Sequence, residues 1–432
     1  MSYSLRFRLR LALLLVLSAV LLTGFGCRRT TDTNEQLQGA LEVWGLWQES
    51  SHMAPVVEAF EQQFGVEVEY RKIGSVANYE RLLLEALAQG RGPDVFVVHH
   101  TWVESKRGLL NPAPAEVIDT RAVQEEFVDV VARDVVRDDR VYALPTSVDT
   151  LALYYNKDIL NAAGIPRPPA TWTDMQRVVE RVTRVSRIGS IQQSAIALGT
   201  AQNINRAADI LQLLMLQSGL PILTEQGTVS IANDIGDRAL VFYTDFANKA
   251  KKVYTWDLSQ DFSIDAFAEG DTAMMLNYSY HVATVRAKNP RLNFAIAPLP
   301  QIADSSEQNK VNFAAYWPYG VSASSPAPQT AWQFVRFMTG REPSLLINHA
   351  QQVPPARRDS VEEFQRDPTL GVFADQVLTA ATWARPDIVA TDVIFNTMID
   401  SIVKGEATTP SEALRRAQDQ LNQLRENDDQ SP

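Results

Sequence analysis

The 432-residue chain has a single cysteine, Cys27, so no disulfide can form within it. No apolar run after residue 27 is long enough to indicate a membrane-spanning helix. The chain also lacks the G-x-S-x-G, H-E-x-x-H, P-loop and G-x-G-x-x-G motifs. The sequence therefore gives no support to the hydrolase, metalloprotease and nucleotide-binding classes that these motifs mark.

Basic residues are outnumbered by acidic ones, since the chain has 40 lysines and arginines and 51 aspartates and glutamates. Removal of residues 1–26 takes away three arginines and no acid, and the net charge then falls from −11 to −14. Nucleic-acid binding depends on a basic surface that neutralises phosphates. The charge balance therefore argues against a nucleic-acid partner.

The first 26 residues have the composition of a signal peptide. Three arginines within residues 1–10 precede the apolar stretch 11–26, which is short for a membrane span. Cys27 follows directly, which predicts a lipid-modified N-terminal cysteine and a flexible linker over 27–39. Gly24 and Gly26 would also suit an ordinary signal peptidase, and an uncleaved anchor helix is a third interpretation. The remaining 406 residues exceed the usual size of a single core, so two lobes are expected.

Strand-like and helical segments alternate along the chain, which predicts an α/β fold. Strands are predicted at 40–47, 66–70, 94–98, 272–278, 292–298 and 317–324, and helices at 53–64, 78–90, 171–182, 206–218 and 235–252. Thr171 or Thr173 is expected to cap the helix over 171–182. The chain after residue 324 is predicted to be mainly helical.

Several stretches, in this order, resemble the extracellular solute-binding proteins of ABC importers, in the carbohydrate-type group that includes maltose-binding protein. They are "LEVWGLW", "ALAQGRGPDVFVVH", "YALPTSVDTLALYYNKDILNAAGIPRPPATWTDM", "AFAEGDTAMMLNYSYHV", "YGVSASSPAPQTAWQFVRFM" and "GEATTPSEALRRAQDQLNQL". Each stretch alone is weak, but their order and spacing are specific and cover nearly the whole chain after the signal peptide.

The resemblance implies a two-lobed periplasmic-binding-protein-like fold of type II, with three crossing segments and a ligand cleft between the lobes. It implies crossings at 143–149, 276–281 and 319–324. One lobe would comprise 40–145 with 281–320, and the other 146–280 with 321–432. The resemblance further implies capture of a sugar or oligosaccharide, without catalysis or a cofactor, and delivery to an ABC permease by lobe closure.

A sugar site needs flat aromatic rings for the apolar face of a pyranose and polar groups for its hydroxyls. Aromatic and polar side chains of this kind occur at predicted strand ends and crossings. Among them, Asp149 is expected to accept hydrogen bonds from ligand hydroxyls. The predicted ligand-binding residues are Trp47, His99, His100, Trp102, Asp149, Tyr278, Tyr280, Tyr316 and Trp317.

Other interpretations of these residues stay open at this point. His99 and His100 could suggest a metal, but neighbouring residues on an extended segment diverge and no further Cys/His cluster is near, so no metal site is predicted. Of the adjacent Tyr154 and Tyr155, at most one can enter the cleft, and Tyr155 is expected to lie in the core.

The acidic surface together with aromatic rings would also suit a polyamine or another cationic solute. An envelope glycoside hydrolase is a weaker alternative, because two catalytic carboxylates could be hidden among the 51 acids. The predicted protein is a monomer in the cell envelope, held at the outer face of the cytoplasmic membrane or in the periplasm by its N-terminal lipid alone.

Overall fold

The computed structural model describes residues 37, 39–74, 76–303, 306 and 309–429. The predicted signal peptide, Cys27 and most of the predicted linker lie outside these residues. Within the described part of the chain, no helix combines the length and the apolar character that crossing a bilayer requires.

Strands and helices alternate as predicted. The strands are β1 Leu41–Gly45, β2 Val68–Lys72, β3 Val95–Val97, β4 Leu110–Asn111, β5 Val136–Arg137, β6 Arg140–Val141, β7 Ala143–Leu144, β8 Asp149–Thr150, β9 Ala152–Asn156, β10 Arg184–Val185, β11 Ile191–Gln193, β12 Met274–Asn277, β13 Phe294–Ala297, β14 Asn312–Ala315, β15 Tyr319–Ser322 and β16 Ala380–Ala381.

The helices lie between these strands and after them. They are α1 Ser50–Phe64, α2 Val76–Ala88, α3 Trp102–Ser105, α4 Thr120–Glu126, α5 Asp129–Val135, α6 Lys157–Ala162, α7 Trp172–Val182, α8 Ala207–Gln217, α9 Asp234–Asp245, α10 Ser263–Glu269, α11 His281–Lys288, α12 Pro328–Met338, α13 Arg341–Gln351, α14 Arg358–Gln365, α15 Gly371–Gln376, α16 Ile388–Val403 and α17 Pro410–Asp429.

Helix α7 shows how local sequence sets an element. Its N-cap is Thr171, whose hydroxyl accepts a hydrogen bond from the Asp174 backbone N–H at 3.0 Å, so the first of the two predicted caps is correct. The helix buries Met175, Val178, Val179 and Val182, which recur at helical spacing on one face. The amphipathic pattern therefore determines both the start of the helix and the face that packs.

The first lobe is built on a sheet with the strand order β2-β1-β3-β15-β4, and β7 also pairs with β15. Strands β1, β2 and β3 run parallel, whereas β15 is antiparallel to β3. Helix α12 packs beside β15, and the ring of Phe334 lies 5.1 Å from that of Phe60 on α1. The carboxyl ends of β1 and β3 consequently open at one edge of this sheet.

The second lobe contains two three-stranded sheets among its described residues. In one, β9 lies between β12 and β13 and is antiparallel to both; in the other, β14 lies between β8 and β16. Helices α8, α9, α16 and α17 pack together in this lobe. Tyr154 of β9 is fully buried and Tyr155 is only half-buried, so the expectation that Tyr155 is the core residue is wrong.

In the part of the chain that the structure describes, the backbone passes between the lobes three times. The first passage, 145–148, joins β7 to β8 and falls within the predicted crossing 143–149. The second, 316–318, joins β14 to β15. The third lies within 352–379, between α13, which packs on α1, and β16. It runs beside the first passage, because Pro355 forms a bridge with Ser147 and the Ala356 N–H donates to the Thr146 carbonyl.

Two of the three predicted crossings differ from this arrangement. Residues 276–281 join β12 to α11 within the second lobe, and 319–322 form β15 of the first lobe, directly after the actual passage. The predicted boundaries change accordingly: β13 and β14, assigned to the first lobe, pair in the second, and α12 and α13, assigned to the second, pack in the first. An apolar strand or amphipathic helix has the same local pattern in either lobe, so only long-range pairing distinguishes them.

Candidate functional site

The half-buried ring of Trp317 lies on the second passage and is surrounded by aromatic side chains of the first lobe. Four rings meet it edge to face, at centroid distances of 5.1 Å for His99, 5.3 Å for Trp47, 5.7 Å for Trp102 and 6.2 Å for Tyr79. Trp47 follows β1, and His99 and Trp102 follow β3, so the shared sheet edge brings them together. We call Trp47, His99, Trp102 and Trp317 the tryptophan cluster.

Trp47 is the exposed member of this cluster, with 48% of its surface accessible, whereas Trp102 is 2% exposed. The turn that carries Trp47 is held by Tyr70, whose hydroxyl donates to the Gln48 carbonyl at 2.9 Å. A Cβ atom at Gly45 would lie 1.8 Å from that hydroxyl, so glycine at this position leaves the room that the Tyr70 side chain occupies. The ring of Trp47 is therefore presented to solvent from a fixed turn.

His99 and His100 are both buried. His99 Nδ1 lies 2.9 Å from the Thr101 hydroxyl, and His100 Nδ1 lies 2.9 Å from a carboxylate oxygen of Asp134. Tyr316 stacks on His100 at 4.7 Å and donates its hydroxyl to Asp134 at 2.8 Å. Burial lowers the pKa of both histidines below the usual value, and for His99 the neighbouring His100 adds to this effect. The pair forms a buried polar wall beside the ring of Trp317.

A second group of side chains comes from the second lobe. Tyr278 and Tyr280 stack with centroids 5.8 Å apart, and the guanidinium carbon of Arg206 lies 5.4 Å and 5.8 Å from their rings. Arg206 also donates a hydrogen bond to the Tyr280 hydroxyl. Tyr278 is 1% exposed and donates to Asp209 at 2.9 Å, whereas Tyr280 is 45% exposed. We call Arg206, Tyr278 and Tyr280 the arginine–tyrosine group.

Buried charges connect this group to the loop 382–387. Arg385 is 3% exposed and contacts Asp209 and Asp392, each at 3.2 Å. Burial and the charge of Asp209 raise the pKa of Asp392 to about 6, against the lowering effect of Arg385. The formal charges of Arg206 and Arg385 balance those of two aspartates, Asp209 and Asp392. This balance leaves no excess of either sign for a charged ligand to neutralise.

Helix α8 supplies the support for that loop. Asp209 contacts Arg385, and one turn later Gln212 accepts a hydrogen bond from the Trp383 indole N–H at 2.6 Å. The two residues interrupt an otherwise apolar and buried helix. An aspartate within an apolar helix was the sequence signal that could have indicated a cluster of paired charges, because a buried charge is costly unless it is paired. Sequence analysis missed Arg206, Asp209, Asp392 and Arg385.

The two groups border a common region at the junction of the lobes. Burial lowers the pKa of His99 and of His100, and the positive charge of Arg385 adds a smaller lowering to both, so its guanidinium lies near the two rings. Asp134 of the first lobe also accepts a hydrogen bond from the Thr382 hydroxyl at 2.9 Å. Within the described residues, the Nε atoms of Arg206 and Arg385 and the Nε2 atom of His100 are buried without a hydrogen-bond partner. Polar atoms without a partner in the described residues thus lie near the aromatic rings.

Asp149 does not face this region as a free acceptor. Its carboxylate accepts hydrogen bonds from the Ser279 N–H at 3.0 Å, the Ser279 hydroxyl at 2.8 Å and the Thr150 N–H at 2.8 Å. Burial raises its pKa to about 7 against the effect of these bonds. We therefore assign Asp149 to the support of the loop that carries Tyr278 and Tyr280, in place of the predicted ligand contact.

The predicted residues fall into three sets. Trp47, Trp317 and Tyr280 present accessible ring surface, whereas His99, His100, Trp102, Tyr278 and Tyr316 are buried around them. Asp149 supports the Tyr278–Tyr280 loop. Cys27, the predicted lipid attachment site, lies outside the described residues.

A cavity of about 710 Å³ lies elsewhere in the second lobe. Segments 168–171, 297–302 and 372–379 contribute to its walls. The buried polar side chains Gln301, Asn312 and Gln376 form hydrogen bonds with protein groups. Its lining includes no member of the tryptophan cluster or of the arginine–tyrosine group.

Comparison with known proteins relates the sequence to a large family. Residues 47–343 match the profile of the family described as bacterial extracellular solute-binding protein. The maltotriose-binding protein of Pyrococcus abyssi is 26% identical over 272 residues, which is 60% of this chain but only 53% of that protein. The galactooligosaccharide-binding protein of Bacillus subtilis is 23% identical over 358 residues, or 81% of this chain and 79% of that protein.

The fold also matches solved structures. The sugar-binding protein MalE from Xanthomonas citri superposes with a TM-score of 0.74 at 20% sequence identity, covering 91% of this chain and 100% of that one. The predicted two-lobed fold of the periplasmic binding proteins is thereby confirmed.

Proposed function

Because the chain belongs to the family of bacterial extracellular solute-binding proteins, we propose that it captures a sugar or oligosaccharide between its lobes and delivers it to an ABC permease. The main support is the tryptophan cluster, which presents the accessible rings of Trp47 and Trp317 at the junction of the lobes. The similarity to maltotriose- and galactooligosaccharide-binding proteins points the same way.

The chemistry of a pyranose suits this arrangement. Its apolar C–H face packs on an aromatic ring, and its hydroxyls both accept and donate hydrogen bonds. Trp47, Trp317 and Tyr280 supply rings, and the half-buried guanidinium group of Arg206 supplies N–H donors beside them. We assign these four residues to ligand contact, with Arg385 buried behind them. The buried residues behind them hold the rings in place.

The balance of buried charge favours a neutral solute over a polyamine. Recognition of a cation requires carboxylates that are free to pair with it. Here Asp209 and Asp392 already contact Arg385, and Asp134 accepts hydrogen bonds from Tyr316 and Thr382. A cationic ligand would have to displace these internal partners.

The proposal includes the remaining features of the sequence. Residues 1–26 act as a signal peptide, Cys27 carries the lipid that holds a monomeric protein at the cell envelope, and 27–39 serve as a tether. Lobe closure is expected to bend the backbone at 145–148, at 316–318 and within 352–379, which are the passages between the lobes. The protein binds its ligand without converting it.

Isothermal titration calorimetry on the fragment 40–432 tests this function. Maltotriose, a galactooligosaccharide and spermidine are titrated separately. Trp47→Ala should weaken glycan binding by about 1–2 kcal/mol, because it removes one stacking surface. Phe262→Ala is the matched control, since Phe262 is also an exposed aromatic residue, at 41%, and among the described residues its ring stacks on no member of either group.

The outcomes separate the candidate functions. Binding of a glycan, weakened by Trp47→Ala and unchanged by Phe262→Ala, supports the proposal. Binding of spermidine alone contradicts it. Chromatography of the glycans after incubation should show intact starting material, and cleaved products would indicate a hydrolase.

A further inference from the structure

We infer that Asp149 is a positioning residue that couples the passages between the lobes to the tyrosines of the arginine–tyrosine group. The inference rests on the proposed function only in treating Tyr280 as a ligand contact. Asp149 itself touches no ligand in this scheme. It acts through the loop 278–280.

The first step is the position of Asp149 in the chain. It begins β8 directly after the first passage, 145–148. In the pairing of β8 with β14, Asp149 lies opposite Ala315, the last residue before the second passage. The backbone of Asp149 is thus tied to both passages, and any rotation of the lobes about them moves its neighbours first.

The second step is the bonding of its carboxylate. The carboxylate of Asp149 accepts hydrogen bonds from both the N–H and the hydroxyl of Ser279, which is 130 residues away in sequence. Asp149 is 8% exposed and Ser279 is 2% exposed, so water does not readily replace these bonds. The carboxylate therefore holds the centre of the loop 278–280 against β8.

The third step is what that loop carries. Tyr278 and Tyr280 flank Ser279, and their rings stack on each other and against Arg206. The Tyr278 carbonyl also accepts a hydrogen bond from Tyr154 of β9. Asp149 follows the first passage, and its hydrogen-bond partner Ser279 lies between Tyr278 and Tyr280 in the chain. The Asp149–Ser279 contact therefore fixes the position of Tyr280 relative to the passages between the lobes.

Hydrogen–deuterium exchange on the fragment 40–432 tests this coupling without any ligand. Asp149→Ala removes every acceptor for Ser279, so exchange in the peptide spanning 278–281 should accelerate about tenfold or more, while β9 and β12 remain protected. Asp149→Asn keeps one acceptor oxygen and the side-chain shape. It should restore most of the protection, because its amide oxygen can still accept hydrogen bonds from Ser279.

Asp94→Ala is the matched control. Asp94 is also a buried aspartate, at 9% exposure, and accepts hydrogen bonds from the Glu42 N–H and the Ser325 hydroxyl in the first lobe. Its loss should accelerate exchange near Glu42 and leave 278–281 unchanged. If Asp149→Ala fails to fold, Ser279→Ala tests the same contact, because it deletes only the hydroxyl bond and should give a smaller acceleration in the same peptide.

The link to lobe motion needs a second readout. The fragment 40–432 has no cysteine, so Glu58→Cys on α1 and Arg238→Cys on α9 place one spin label on each lobe at exposed positions. Electron-electron double resonance should show a broader interlobe distance distribution with Asp149→Ala than with Asp94→Ala, and Asp149→Asn should return it toward wild type. Equal distributions, or uniform acceleration of exchange throughout the chain, would overturn the inference. Neither readout depends on glycan binding, so failure of the proposed function would be seen separately.

Discussion

The buried carboxyl group of Asp149 should make the stability of the folded protein depend on pH. Burial raises its pKa from 3.8 to about 7, so between these values the folded chain binds a proton that the unfolded chain has released. The free energy of unfolding must then fall as pH rises from about 4 to about 7. One pKa unit corresponds to about 1.4 kcal/mol, so this group accounts for a loss of about 3–5 kcal/mol across that range.

Asp149→Asn removes the titrating group and keeps its shape. Urea unfolding of the fragment 40–432 at several pH values between 4 and 8 should give the wild type a steeper decline than the variant, by about 3–5 kcal/mol in total. The difference between the two curves isolates Asp149 from other titrating groups. Asp94→Asn, at a buried site in the first lobe, serves as the control. Parallel curves for wild type and Asp149→Asn would refute the reasoning.

Three further predictions follow from other parts of the molecule. Arg385→Met should lower the free energy of unfolding by about 3–5 kcal/mol in urea titrations, because Asp209 and Asp392 lose a buried partner; a change below about 1 kcal/mol would contradict this. Tyr280→Ala should weaken the binding of maltotriose by about 1–2 kcal/mol in calorimetry while the unliganded fragment stays folded, and unchanged affinity would remove Tyr280 from the site. Cys27→Ser should move the full-length protein from the membrane fraction to the soluble fraction in blots of fractionated cells, whereas continued membrane association would favour an anchor helix.

Local patterns were sufficient for much of the secondary structure. The helix over 171–182 and its Thr171 cap follow from a hydroxyl that bonds an N–H three residues on and from apolar spacing along one face. Trp47, His99 and Trp102 could also be grouped in advance. They follow β1 and β3, and parallel neighbouring strands end at the same edge of a sheet.

The sequence left open which lobe each segment of the second half joins. β13 and α12 have the same apolar patterns as their neighbours, and only their pairing with β9 and packing beside β15 assigns them. Similarly, alternation along β9 places Tyr154 and Tyr155 on opposite faces but does not say which face is buried. Both questions depend on contacts between segments that are far apart in the chain.

By itself, then, the sequence determined the α/β alternation, because hydrogen-bonding and amphipathic patterns act over a few residues, whereas the first passage was predicted from the resemblance to solute-binding proteins. Tertiary structure alone decided the partners of the buried charges. Arg385 meets Asp209 across 176 positions, and Asp149 meets Ser279 across 130. No local pattern records such a partner, since a buried charge is stabilised by whichever group the fold brings within hydrogen-bonding distance.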